Sequence, residues 1–213
     1  MRLTKLGHSC LLMEDGSARG LLDPGVLSAG FERLEGLDAV PFTHQHGDHL
    51  DPERLRGLLG RNPGVRVVSD EGSAGALARA GADVEVVHAG DELDVAGSAW
   101  ASLGRDHAVV HPDVPVVPNV GYLVGGRQFH PGDAFTPPGQ PVEVLAVPAA
   151  APWLKLSEAI DHLRAVRPRV AVPVHDRVLS EAGTSIHYRQ LQQLGARDGT
   201  TLRVLDDAQP LTR

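Results

Sequence analysis

Apolar residues in this chain fall into short runs that alternate between two periods. Residues 3–6, 10–14 and 18–22 read as strands, with Asp15-Gly16 as the tight turn between the last two. Further strands are expected at 38–42, 65–69, 84–88, 92–95 and 99–103. Gly125-Gly126 marks a hairpin between 120–124 and 127–130. Residues 142–147 and 170–174 are almost wholly apolar, as strands covered on both faces should be, and 201–205 reads as a closing strand. Between the strands lie helical signals. Asp51 and Pro52 form a start for a helix to residue 59, and Gly81 closes a helix over 71–80. Ile160, Leu163 and Val166 recur at helical spacing in 157–166, and 185–194 ends at Gly195. Asp23-Pro24-Gly25 breaks the chain, and 27–34 reads as a short helix or loop. Strands alternating with helices, with hairpins in each half, predict an α/β fold of two mixed sheets covered by helices. No linker-like stretch interrupts the pattern, so 1–213 reads as one domain.

One turn stands apart from this patterning. His44-Gln45-His46-Gly47-Asp48-His49 packs three imidazoles and a carboxylate between a predicted strand and a predicted helix. A loop on a rigid scaffold can aim several side chains at one point. Imidazole nitrogen and carboxylate oxygen suit zinc, manganese or iron. Each such group buried without a partner would cost about 1–3 kcal/mol, and a metal satisfies all four together. No pair has the i, i+4 separation of a helical H-E-x-x-H zinc site.

Composition narrows the alternatives. With 213 residues, 42% hydrophobic, the chain can bury a substantial core. The formal net charge of −7 and the scattered Lys and Arg argue against a nucleic-acid partner held by a basic field. Cys10 is the only cysteine, so neither an intramolecular disulfide nor a cysteine-rich zinc module can form. A Cys10–His8 nucleophile pair lacks an orienting third group and is rejected. No signal peptide and no bilayer-spanning run is read, so a cytoplasmic protein without a membrane partner is the default expectation.

Further candidate ligands lie at predicted strand ends: His107 or His111 after 99–103, Asp133 in His130-Pro131-Gly132-Asp133, and His175 after 170–174. With His44-x-His46-x-Asp48-His49, this order resembles the metallo-β-lactamase fold superfamily of metal-dependent hydrolases. Leu6-Gly7-His8-Ser9-Cys10 and Asp23-Pro24-Gly25 resemble the branch of ascorbate-6-phosphate lactonase-like proteins. The resemblance spans about residues 6–176 and implies a four-layer αββα sandwich with the site at one edge of the two sheets.

It also implies two divalent metal ions, Zn2+ before Mn2+ or Fe. One would be held by His44, His46 and His107 or His111, the other by Asp48, His49 and His175, with Asp133 bridging. His107 is preferred because it lies nearer its strand's mouth, while Pro112 fixes His111 in extended backbone at the rim. A metal-bridged hydroxide, with Asp48 or Asp133 taking its proton, would then cleave an ester, lactone or phosphodiester of a small molecule, an anionic one among the candidates. The same resemblance leaves open an iron-dependent redox enzyme or a non-catalytic metal-binding member. His8, His111, Trp153, Lys155 and Asp176 are candidates for substrate contact or for support of the ligands, Asp176 by orienting a ligand imidazole.

Overall fold

The computed structural model describes residues 1–205 and 209–212. Two seven-stranded sheets face each other. The first takes β1 (Arg2–Lys5), β2 (Leu11–Asp15), β3 (Ala18–Leu22), β4 (Ala39–Phe42), β5 (Arg66–Ser69) and β6 (Val84–Val86). The second takes β7 (Glu92–Val95), β8 (Ser98–Leu103), β9 (Gly121–Val124), β10 (Gln128–His130), β11 (Val144–Pro148), β12 (Val170–Val174) and β13 (Thr201–Leu202). A last strand, β14 (Pro210–Thr212), returns to the first sheet, giving the order β14-β1-β2-β3-β4-β5-β6; the second runs β13-β12-β11-β10-β9-β8-β7. Helices α1 (Pro52–Arg61) and α2 (Glu71–Arg79) cover the first sheet, and α3 (Leu156–Val166) and α4 (Glu181–Gly195) the second. The result is the four-layer αββα sandwich.

Each layer follows from its residues. Between the sheets, Leu3, Leu11, Met13, Trp100, Tyr122, Val124 and Val172 are buried in one apolar cluster. Strand β4, Ala-Val-Pro-Phe, is buried throughout, with Val40 and Phe42 turned toward Leu55 and Leu58 of α1. Asp51 caps α1, its Oδ1 accepting from the Glu53 and Arg54 amides at 3.1 Å. Strands β3 to β6 run parallel, as do β10 to β13. Loops beyond the carboxyl ends of parallel strands are where an α/β sheet places ligand-binding groups.

Three elements differ from the sequence expectation. Helix α4 begins at Glu181 rather than 185, because Ser180 caps it by accepting from the Gly183 amide. The closing strand shrinks to Thr201–Leu202. Strand β14, three residues with a proline, carries no periodic signal and forms by pairing with β1 across Arg2↔Thr212 and Leu3↔Leu211. Among the described residues, no helix is long and apolar enough to cross a membrane.

Candidate metal centre

The loop after β4 brings His44, His46, Asp48 and His49 to the sheet edge, and side chains beneath it fix their orientation. Asp23, just past β3, is fully buried. Its Oδ1 accepts from the Thr43 amide, and its Oδ2 from the Thr43 hydroxyl and His49 Nδ1, all at 2.7 Å. Thr43 Oγ1 in turn accepts from His44 Nδ1 at 3.0 Å. Protons on both Nδ1 atoms leave the Nε2 lone pairs of His44 and His49 directed inward. Gly25 lets the 23–25 turn slide under the motif: a Cβ there would lie 1.9 Å from the Asp48 carbonyl oxygen.

On the other side of the cluster, backbone carbonyls do the orienting. His107 Nδ1 donates to the Ala108 carbonyl at 2.5 Å, and His175 Nδ1 to that of Ala150 at 2.6 Å. Both Nε2 atoms again face inward. His175 holds a left-handed backbone (φ 57°), a conformation unusual outside glycine, as does Asp23 (φ 48°). Asp133 sits in the turn after β10. His130 Nδ1 accepts from the Gly132 amide and Asn119 Oδ1 from the Asp133 amide, both at 3.0 Å. Gly132 adopts φ +66°, and a Cβ there would lie 2.3 Å from Asn119 Oδ1. Trp153 donates its indole N–H to Asp133 Oδ2 at 2.8 Å.

These side chains converge. His44, His46 and His107 bring ligand atoms together, with His44 Nε2 3.1 Å from His46 Nδ1; His44, His49 and Asp133 form a second group, and His8, Asp48 and His175 a third. His49 Nε2 lies 3.1 Å from Asp133 Oδ1, and His175 Nε2 lies 3.0 Å from Asp133 Oδ2 and 3.1 Å from Asp48 Oδ2. Close as they are, the Nε2 atoms of His49, His107 and His175 and Oδ1 of Asp133 are buried without hydrogen-bond geometry to any partner. Donors buried at ligand-to-ligand distances fit a cation better than they fit one another.

Electrostatics agrees. Burial pushes His44 well below the usual imidazole range, and burial with the neighbouring His107 lowers His46. Burial works against charge on Asp133 and Asp48, yet the facing imidazoles hold both below the carboxylate range, His49 foremost for Asp133 and His175 for Asp48. Burial likewise opposes charge on His175, but Asp133 and Asp48 prevail and raise it to about 9. Asp133 and Asp23 likewise hold His49 well above the usual imidazole range. Three carboxylates thus favour positive charge on two imidazoles of the cluster.

The remaining candidates separate clearly. His107 is buried in the cluster, whereas His111 is exposed outside it and its Nδ1 accepts from the Asp113 amide. His8 is fully buried. Its Nδ1 accepts from the Arg177 amide at 3.0 Å, which places its proton on Nε2, 3.5 Å from Asp48 Oδ2. With its proton there, His8 Nε2 faces Asp48 without hydrogen-bond geometry to any partner and offers no lone pair to a cation. Trp153 is buried, wedged between His107 and Phe135 with ring centroids 5.9 and 5.1 Å away. Lys155 is exposed at the start of α3. Asp176 does not orient an imidazole; it accepts from Lys5 and Tyr188. Sequence reasoning passed over Asp23 and Thr43 as supports. An aspartate ending a strand before Pro-Gly was the available signal, and it looked like an ordinary chain break.

A family model described as a beta-lactamase superfamily domain matches residues 2–175. Protein Rv0786c of Mycobacterium tuberculosis is 47% identical over 203 residues, covering 93% of this chain and 94% of its own. A UPF0173 metal-dependent hydrolase of Aeropyrum pernix is 28% identical over 200 residues, covering 82% and 81%. Among solved structures, Igni18, a metallo hydrolase from Ignicoccus hospitalis, superposes with a TM-score of 0.76 at 20% identity, covering 99% of this chain and 97% of that one. The chain belongs to the beta-lactamase superfamily, has the metallo-β-lactamase fold, and is similar to metal-dependent hydrolases.

Proposed function

We propose that the protein hydrolyses an ester, lactone or phosphodiester of a small molecule with two divalent cations, zinc being the ion best matched to histidine and carboxylate donors. His44, His46 and His107 would hold one cation; Asp48, His49 and His175 would hold the other, and Asp133 would lie between them. The observation that carries this reading is the set of buried, inward-facing donor atoms on His49, His107, His175 and Asp133 that lack hydrogen-bond partners. Bound there, such cations would lower the pKa of a coordinated water towards 7 and polarise the substrate's carbonyl or phosphoryl oxygen.

The chain's own groups divide the remaining work. The Asp48 side chain is 26% exposed, so it can reach a water at the mouth and orient it. Asp133 is only 4% exposed and is tied to Trp153, so it holds position and charge. His8 Nε2, 3.5 Å from Asp48 Oδ2, would add an N–H facing that carboxylate.

The test is elemental analysis of the purified protein, followed by a panel of lactones, carboxyl esters and phosphodiesters with zinc or manganese. Up to two metal equivalents and turnover of one class are expected. Combined Asp48→Ala and His49→Ala should reduce turnover at least a thousandfold. Undiminished hydrolysis by that variant would sink the reading.

A further inference from the structure

The cluster is buried and polar, but segments leaving it carry exposed apolar residues. Ten large apolar residues are exposed among the described residues, and seven lie on three segments that leave the cluster: 26–27, 109–116 and 178. The segment 109–116 alone exposes Val109, Val110, Val114 and Val116 by 40–58%. Single exposed valines need no explanation, but four on one loop do.

The loop is anchored to the candidate metal centre. The His107 amide donates to the Val117 carbonyl at 2.9 Å, closing the loop's neck, and the Ala108 amide donates to the Asp133 carbonyl at 2.8 Å. Pro112 and Pro115 stiffen the backbone between, and the Val114 amide donates to the His111 carbonyl at 2.9 Å. The valines are thus held outward by a braced frame. The one charged group on this stretch, Asp113, is 91% exposed beside His111. Val26 is fastened to the motif loop, its amide donating to the Gly47 carbonyl at 2.8 Å.

We infer that the 109–116 loop is the specificity wall for an apolar acyl or alkyl group of the substrate, so that the protein favours long-chain or aryl esters and lactones over compact, highly charged ones. This rests on the hydrolase reading of the cluster. The occupant follows from attachment: the loop springs from His107 and is tied to Asp133, so a substrate whose polar head reaches the ligand-bearing groups has its tail beside this loop.

The test uses n-alkyl hydroxamic acids of rising chain length, titrated calorimetrically into zinc-loaded protein. The hydroxamate head binds metal and the tail reports the wall. Affinity should rise about two- to fourfold per methylene over several carbons, the upper figure being full burial. Val114→Ser with Val116→Ser, both exposed, should flatten that slope without changing metal content. Val86→Ser, an exposed valine on β6, should leave the slope intact. A flat series in the wild type, with the shortest hydroxamate still binding, would overturn the apolar wall alone. No binding by any hydroxamate would remove the hydrolase reading and this inference with it. Concentration-dependent dimerisation that the double variant abolishes would assign the valines to a second copy of the chain and overturn the proposal.

Discussion

The two sheets supply the candidate metal centre in different ways. The first delivers four ligand-type side chains from a single turn and steadies them with a side-chain network of Asp23 and Thr43. The second delivers His107, Asp133 and His175 one at a time from the ends of separate strands. It steadies the two histidines with the carbonyls of Ala108 and Ala150, and Asp133 with Trp153. A network of side chains can be removed by one substitution; a carbonyl cannot. Sensitivity of metal binding to mutation outside the ligands should therefore be lopsided, concentrated beneath the first sheet's turn.

The strongest test of that asymmetry is Asp23→Ala. It removes the partner of His49 Nδ1 and of the Thr43 hydroxyl together, and metal affinity measured by competition with a chelator should fall about 10–100-fold. An effect below twofold would deny Asp23 its supporting role. Next comes pH. In metal-free protein His175 keeps its proton up to about 9, so a cation must displace it. Affinity should therefore fall as pH is lowered, at least tenfold per unit between about pH 8 and 6, with proton release visible as buffer-dependent binding heat. A flat profile would mean that His175 is not displaced by metal.

Trp153→Phe keeps an aromatic ring beside His107 but removes the indole N–H that donates to Asp133 Oδ2. A loss of metal affinity of about tenfold is expected, smaller than for Asp23. A loss exceeding that of Asp23→Ala would reverse the comparison. The smallest effect belongs to His8→Ala. Because the Arg177 amide occupies its Nδ1, the variant should retain the wild-type number of bound ions while losing turnover. Loss of one full equivalent would make His8 a ligand after all.

The same difference set what could be read from the sequence. His44 to His49 are contiguous, so their common purpose is visible without a fold. Most strands and helices were visible too, because burial on one face or both imposes period 3.6 or continuous apolar runs. His107, Asp133 and His175 could be named only as strand-end residues in a recognised order. Nearness to the strand's mouth favours His107 over His111 in the sequence, and the burial of one and exposure of the other agree with that preference. Asp23 and the carbonyls of Ala108 and Ala150 carry no periodic signal, because a hydrogen bond across many residues leaves no local trace. Strand β14 was hidden for a related reason: its partner, β1, lies at the far end of the chain.

One stretch where the sheets meet has a wider consequence. Lys5, at the end of β1, pairs with Asp176; the His175 amide donates to the His8 carbonyl; and the Arg177 amide donates to the His8 ring. These three stitches join the start of the chain to the segment that carries its last candidate ligand. The sandwich cannot gape along this seam without moving His175 away from Asp48 and Asp133. Occupancy of the centre and closure of the two layers are thereby one equilibrium, so ions held between the sheets act as a clasp on the whole molecule.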